Sequence, residues 1–187
     1  MLITIRKHSS LQTLITSMVT QGQTAVLLKF PFVGLTEEVD AILSNLCAKI
    51  LNLASGIPYH QILYSFRISR GNFRGAATIL HDRLQRLKST SSKVHDPADE
   101  SLIHCYLMII NALSSVSQED AYILADQRID DAGPQSWQIG KAKKLLRRHI
   151  VTLDTLRKEY QAELDRVAAI ENGHFAFMDP ADEMDIL

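Results

Sequence analysis

Ile68-Ser69-Arg70-Gly71-Asn72-Phe73-Arg74-Gly75-Ala76-Ala77, at the centre of YHQILYSFRISRGNFRGAATILHDRL (Tyr59–Leu84), separates two runs of apolar residues. Before it, Tyr59, Ile62, Leu63 and Phe66 recur three and four residues apart, the period of one helix face. After it, Phe73, Ala76, Ala77, Leu80, Leu84 and Leu87 repeat that period. Gly71 tolerates the positive φ that ends a helix. Asn72 is a good N-cap for the next one. Phe73 is placed to plug the hairpin, while the small Ala76 and Ala77 let its two helices approach closely. The segment reads as an antiparallel helical hairpin.

The same punctuation recurs along the chain. Glycine and proline together make up thirteen of 187 residues, about 7%, against an average near 12%. Gly22, Gly34, Gly56, Gly71, Gly133 and Gly173 fall between segments of helical period; Gly75 and Gly140 lie in or beside helices. Expected helices cover Ser9–Thr20, then Thr36–Leu53 with Thr36 as N-cap and Glu37 and Glu38 favouring the helix dipole. Pro58–Arg70 and a helix after Asn72 form the hairpin, and Asp96 and Pro97 open another helix to about Leu113. Ser117 and Asp120 resemble a capping box before a short helix to Ala125. The last helix, Lys141–Glu171, would span roughly 46 Å. No segment alternates in the manner of a strand hairpin.

The expected fold is therefore all-α: an irregular α-solenoid of antiparallel helical hairpins, ending in one long helix. It occupies residues 1–171, with irregular loops near 88–97 and 126–138. Residues 172–187 hold Asp179, Asp182, Glu183 and Asp185 with no Lys or Arg, and read as an acidic, weakly ordered tail. The Gly, aromatic, Ala order at the turn also resembles the inter-helix turn of tetratricopeptide repeats, although only one such turn is clear.

A net charge of −1 argues against a dedicated nucleic-acid binder, which needs basic excess. Cys47 and Cys105 lie far apart and read as two buried thiols. The uncharged stretches 8–28 and 101–118 are interrupted by Ser, Thr, Gln and Asn, which hydrocarbon penalises, so neither reads as a membrane span.

A catalytic reading finds no residues to carry it. Gly140-Lys141 resembles the end of a phosphate loop, but Gln135 stands where the first Gly belongs and Ala142 replaces the hydroxyl that would hold magnesium. His104 and Cys105 are adjacent on a helix, about 100° apart, and make poor partners for one metal. No cofactor or small-molecule site is expected. The one patch with a functional claim is the basic run KAKKLLRRH, whose Lys141, Lys143, Lys144, Arg147 and Arg148 would suit an acidic protein partner. A solvated helix face is the plainer reading of the same residues.

Three segments resemble one family. Tyr59–Leu84 and LDTLRKEYQAELDRVAAIE (Leu153–Glu171), with PFVGLTEEVDAIL (Pro31–Leu43), are similar to the α-helical part of the large propeller–solenoid nucleoporin of the nuclear pore's Y-shaped coat, in a fungal version. The resemblance implies a structural scaffold at the nuclear envelope. It would bind other coat nucleoporins and support nucleocytoplasmic transport, including mRNA export, without turnover. It also implies a β-propeller and further solenoid outside these 187 residues, so the sequence reads as a section of a longer chain. The alternative is a helical-repeat adaptor of a cytosolic vesicle coat. Direct binding of nucleic acid or membrane is not expected under either.

Overall fold

The computed structural model of the chain describes residues 2–50, 56–90, 100–127 and 147–172. Among them the order is α1 (Leu2–Thr20), α2 (Thr24–Lys29), α3 (Thr36–Lys49), α4 (Tyr59–Ser69), α5 (Phe73–Thr90), α6 (Ser101–Ser114), a 3-10 turn (Gln118–Asp120), β1 (Tyr122–Gln127), β2 (Arg147–Thr152) and α7 (Leu153–Glu171).

Apolar residues at helical spacing build two cores. The first joins α1 to α4 through Ile15, Leu27, Phe32, Ile42, Leu43, Leu63 and Phe66. The second joins α5, α6, the two strands and α7 through Leu80, Leu84, Cys105, Tyr106, Ile109, Leu113, Ile123, Val151 and Leu156. Each fully buried Leu, Ile or Phe contributes about 1.5–3 kcal/mol. The α4–α5 hairpin is the wall between them. Tyr64 and Ile68 of α4 reach the second core, while Ile79 of α5 packs on the first. The two helices run antiparallel: His60, at the start of α4, lies 4.0 Å from Asp82, and Arg67, near its end, bonds Gly75 at the start of α5. A helix pair flanked by apolar neighbours on both sides is the unit of a solenoid.

Two expectations are corrected. No short helix runs to Ala125: the chain makes only a 3-10 turn after Ser117 and then enters β1. The long helix does not start at Lys141 either. Arg147–Thr152 is a strand, antiparallel to β1 with Leu124 opposite Ile150 and Ile123 opposite Val151. The local cause is the run Ile150-Val151-Thr152 facing Tyr122-Ile123, since β-branched and aromatic residues suit a pleated surface. Thr152 then caps α7, its Oγ1 accepting from the Thr155 N–H at 3.3 Å. Nineteen residues give α7 a length of about 28 Å.

Smaller differences follow the same physics. Helix α1 begins at Leu2. Thr36 is the first residue of α3 and not its cap; its hydroxyl donates back to the Phe32 carbonyl. α5 runs to Thr90, through part of the expected linker. Asp96, Pro97, Gly133, Gly140, Gly173 and the acidic stretch beyond Asn172 lie outside the described residues, as does most of the loop expected near 126–138.

Candidate interaction surface

The α4–α5 turn is built from two interlocked caps. Gly71 adopts φ 75°; its N–H donates to the Ile68 carbonyl, and the Asn72 N–H donates to that of Arg67. That pair of bonds is a Schellman closure of α4. The Asn72 Oδ1 then accepts from the Gly75 N–H at 2.9 Å and caps α5. A Cβ on Gly75 would come within 2.6 Å of the Asn72 amide, so the second glycine is there to leave room for the cap. Ala76 and Ala77 are fully buried. Phe73 is half-buried and belongs to neither core; beside the turn it is Phe66 that fills the first core. Replacing Gly71 with Val puts a β-branched residue at positive φ, and a loss of about 1–2 kcal/mol is expected in denaturant unfolding.

Arginines brace this turn. Arg67 holds Asp40 of α3 with two bonds of 2.7 Å, reaches the Ser44 hydroxyl and donates to the Gly75 carbonyl. One side chain thereby ties three helices. Arg70 donates to the Phe30 carbonyl and lies over the Phe66 ring. Arg74 covers the ring of Tyr122 at 4.0 Å, joining the turn to β1. At the far end of the hairpin Arg86 donates to the Cys47 carbonyl, where α3 ends. Lys88 and the Tyr106 hydroxyl both bond Glu159 of α7.

The ionisable groups inside are arranged for packing. Burial pushes the Cys47 and Cys105 thiols up to about 12 and 11, so both remain protonated. Burial lowers His60 to about 4 despite Asp82, so its imidazole is neutral near pH 7. Burial alone would raise Glu159, but the hydrogen bonds from Tyr106 and Lys88 hold it below its ordinary value. Among the described residues no group of three or more His, Cys, Asp or Glu is placed to hold a metal ion. No described helix is long and apolar enough to cross a membrane.

Among the described residues two surfaces carry exposed apolar or basic side chains. At the α2–α3 corner Val26, Phe30 and Leu35 are exposed and Val33 is 87% exposed, beside the buried Phe32, which sits at φ 40°. A groove lined by Glu37, Asp40, Arg67, Arg70 and Asn72 adjoins that side of the hairpin. The second surface is the ribbon of β1 and β2. Of the basic run expected on a helix, Arg147 and Arg148 lie on β2, while Lys141, Lys143 and Lys144 are outside the described residues. Gly71, Asn72, Ala76 and Ala77 meet at the turn, while Arg147 and Arg148 lie at the end of the ribbon away from Tyr122, the residue on which Arg74 packs.

Missing from the sequence reading are Arg67 with Asp40, Gly75 as the room for a cap, and Arg74 on Tyr122. The available signal was a cation on helix α4 among the apolar residues of its stripe, since such a charge needs a partner to be half-buried.

A family model described as the middle TPR of NUP160/120 matches residues 3–114. The chain is 30% identical to the nucleoporin NUP120 of Chaetomium thermophilum, across 96% of its own length and 20% of that protein. It is 28% identical to nucleoporin nup120 of Schizosaccharomyces pombe, across 87% of this chain and 14% of the relative. With the nuclear pore complex protein Nup160 of Mus musculus it shares 29% identity, across 83% of this chain and 11% of the other. The chain thus spans a fifth or less of the length of these relatives.

Proposed function

The chain belongs to the NUP160/120 family of nucleoporins, and from that premise we propose that it is a structural segment of the nuclear pore scaffold. In this reading it helps build the Y-shaped coat at the nuclear envelope and so supports nucleocytoplasmic transport, including mRNA export. Its partners are other coat nucleoporins, held by shape and not by a reactive site. The observation that carries the reading is the span of the family match. It runs from the first turn of α1 to Ser114, the last residue of α6, and so takes in both helices of the hairpin and most of both cores.

The architecture supports this role. A solenoid unit presents two walls to its neighbours and transmits position along a stack, which is what a scaffold requires. The hairpin turn of Gly71, Asn72, Phe73, Ala76 and Ala77 serves as a rigid joint in this reading. Its thiols are protonated and its His60 is neutral, so neither offers a nucleophile or a poised base. An adaptor of a cytosolic vesicle coat would share the physics of the fold but not the family.

Tagging the endogenous protein tests the proposal. Fluorescence at the nuclear rim, with coat nucleoporins in a native purification, is expected. Absence from the rim, with a set of vesicle-coat proteins co-purifying, would overturn it.

A further inference from the structure

Ser117 and Asp120 stand three apart in the order of a capping box, yet the Ser117 hydroxyl does not cap the turn. It donates instead to the Asp120 carboxylate at 2.9 Å, and both residues are exposed. The backbone at Ser117 is extended, with φ −58° and ψ 149°, between the end of α6 and the 3-10 turn. Every residue from Ser114 to Asp120 is exposed except the half-buried Val116. Other surface hydroxyls are held differently. Those of Thr13, Thr20, Thr78, Ser89 and Ser115 each donate to a backbone carbonyl three or four residues back, within or at the end of a helix. An enzyme that modifies a serine draws the residues around it out as an extended strand, and a helix must unwind to allow this. Ser117 is already extended.

The residues around it select the enzyme. Ser117 is the one serine of the chain with a carboxylate among the next three residues, Glu119 at the second position and Asp120 at the third. No Lys or Arg lies between Lys93 and Arg128, so neither flanks the serine closely on either side. Gln118, not a proline, follows directly. This pattern fits a cleft lined by lysine and arginine, which meets the two carboxylates with charge-assisted bonds.

We propose that Ser117 is a phosphorylation site, modified by a protein kinase that reads acidic residues two and three positions after the serine. The γ-phosphoryl group of ATP passes to the Ser117 Oγ. The Oγ–P bond forms, the bond to the β-phosphate oxygen breaks with its electron pair leaving on ADP, and the hydroxyl proton goes to the kinase's catalytic carboxylate. The product opens the corner. A phosphorylated Oγ has no proton to donate to Asp120, and it adds up to about two negative charges beside Glu119 and Asp120. The 3-10 turn is held by the Asp120 N–H on the Ser117 carbonyl at 2.9 Å and the Ala121 N–H on the Gln118 carbonyl at 3.4 Å. The Ala121 carbonyl accepts from the Leu153 N–H at 3.2 Å, so this turn ties the end of α6 to the start of α7. Phosphorylation of Ser117 loosens that joint, whichever assembly the chain serves.

The test incubates the full 187-residue chain with casein kinase II and magnesium ATP and locates phosphate by mass spectrometry. Phosphate on Ser117 is expected. Ser117→Ala should remove it, Asp120→Asn should slow its incorporation at least about tenfold, and Gln118→Ala should leave the rate within about twofold. All three changes are at exposed residues, where substitutions leave the fold intact. Amide hydrogen exchange of the phosphorylated chain should quicken at residues 118–121 and at Leu153, while α4 and α5 keep their protection. No incorporation, incorporation only at other residues, equal rates for the chain and Asp120→Asn, or dependence on Gln118 in place of Asp120 would overturn the site. Unchanged exchange at residues 118–121 after phosphorylation would overturn its effect on the joint.

Discussion

Phe66→Ala is expected to lower the unfolding free energy by about 3–5 kcal/mol, the cost of emptying a large aromatic site in a packed core. Phe66 is 1% exposed and stands where the first core is most tightly interlocked. Its ring meets Phe32 edge-on at 6.3 Å, Phe32 meets Phe30 at 4.8 Å, and the Arg70 guanidinium lies over its outer side. Phe32 is at φ 40°, a conformation that disfavours any residue with a Cβ. Its burial against Phe66 is what offsets that strain. Removing the Phe66 ring therefore loses its own contacts and the support of the Phe32 turn together. Two distinct cores give the prediction a spatial signature. Hydrogen exchange should accelerate in α2, α3 and α4, while α6 and the ribbon keep most of their protection, because the second core does not contain Phe66. Uniform loss of protection, or a loss below about 1 kcal/mol in denaturant unfolding, would show that the two cores do not divide the chain in this way.

That division was legible in part. The 3-and-4 spacing of Val39, Ile42, Leu43 and Cys47, and of Ile62, Leu63 and Phe66, marks the faces that are buried. Gly22, Gly34 and Gly71 mark the joints, all with positive φ. Helical period and glycine position are local signals, and helices are local structures, so the sequence reports them directly. The ribbon is a different case. Leu146, Ile150 and Leu153 fit a helix face, while Ile150, Val151 and Thr152 fit a strand, and only the pairing partner at residues 122–127 decides between them. A partner about 25 residues away leaves no local period.

The braces were hidden for a related reason. Arg67 and Asp40 are 27 residues apart, and each has solvent-facing charged neighbours that look alike in the sequence. What distinguishes Arg67 is that its helix buries both flanks, between α3 and α5, so its stem is enclosed and its charge must be met inside. Gly75 is similar. Its place within a helix looks unfavourable until the Asn72 amide is seen folded over it. Of the basic run, Arg147 and Arg148 lie on β2 and not on the long helix expected there, for the same reason: their pairing partners, Gln127 and Asp126, are far away in the sequence.

Arg67→Met should destabilise the chain by about 2–3 kcal/mol, the second largest effect expected. The guanidinium makes a bidentate pair with Asp40 and two further bonds, to the Ser44 hydroxyl and the Gly75 carbonyl. Its side chain is 16% exposed and that of Asp40 30%, so solvent screens the pair in part. Breaking a fully buried pair costs about 3–5 kcal/mol, and this exposure places the expected loss toward or just below the lower end. Most of that cost is the carboxylate of Asp40 left half-buried without its partner, not the attraction itself. The double variant Arg67→Met, Asp40→Leu removes the stranded charge and should recover at least about 1 kcal/mol of the loss. Methionine retains much of the stem's volume, so packing between α3, α4 and α5 changes little and the cycle reports the polar network. Denaturant unfolding of the two single variants and the double one measures it. Additive losses would mean that Asp40 and Arg67 act independently, and that the joint between α3 and the hairpin is held by its apolar contacts alone.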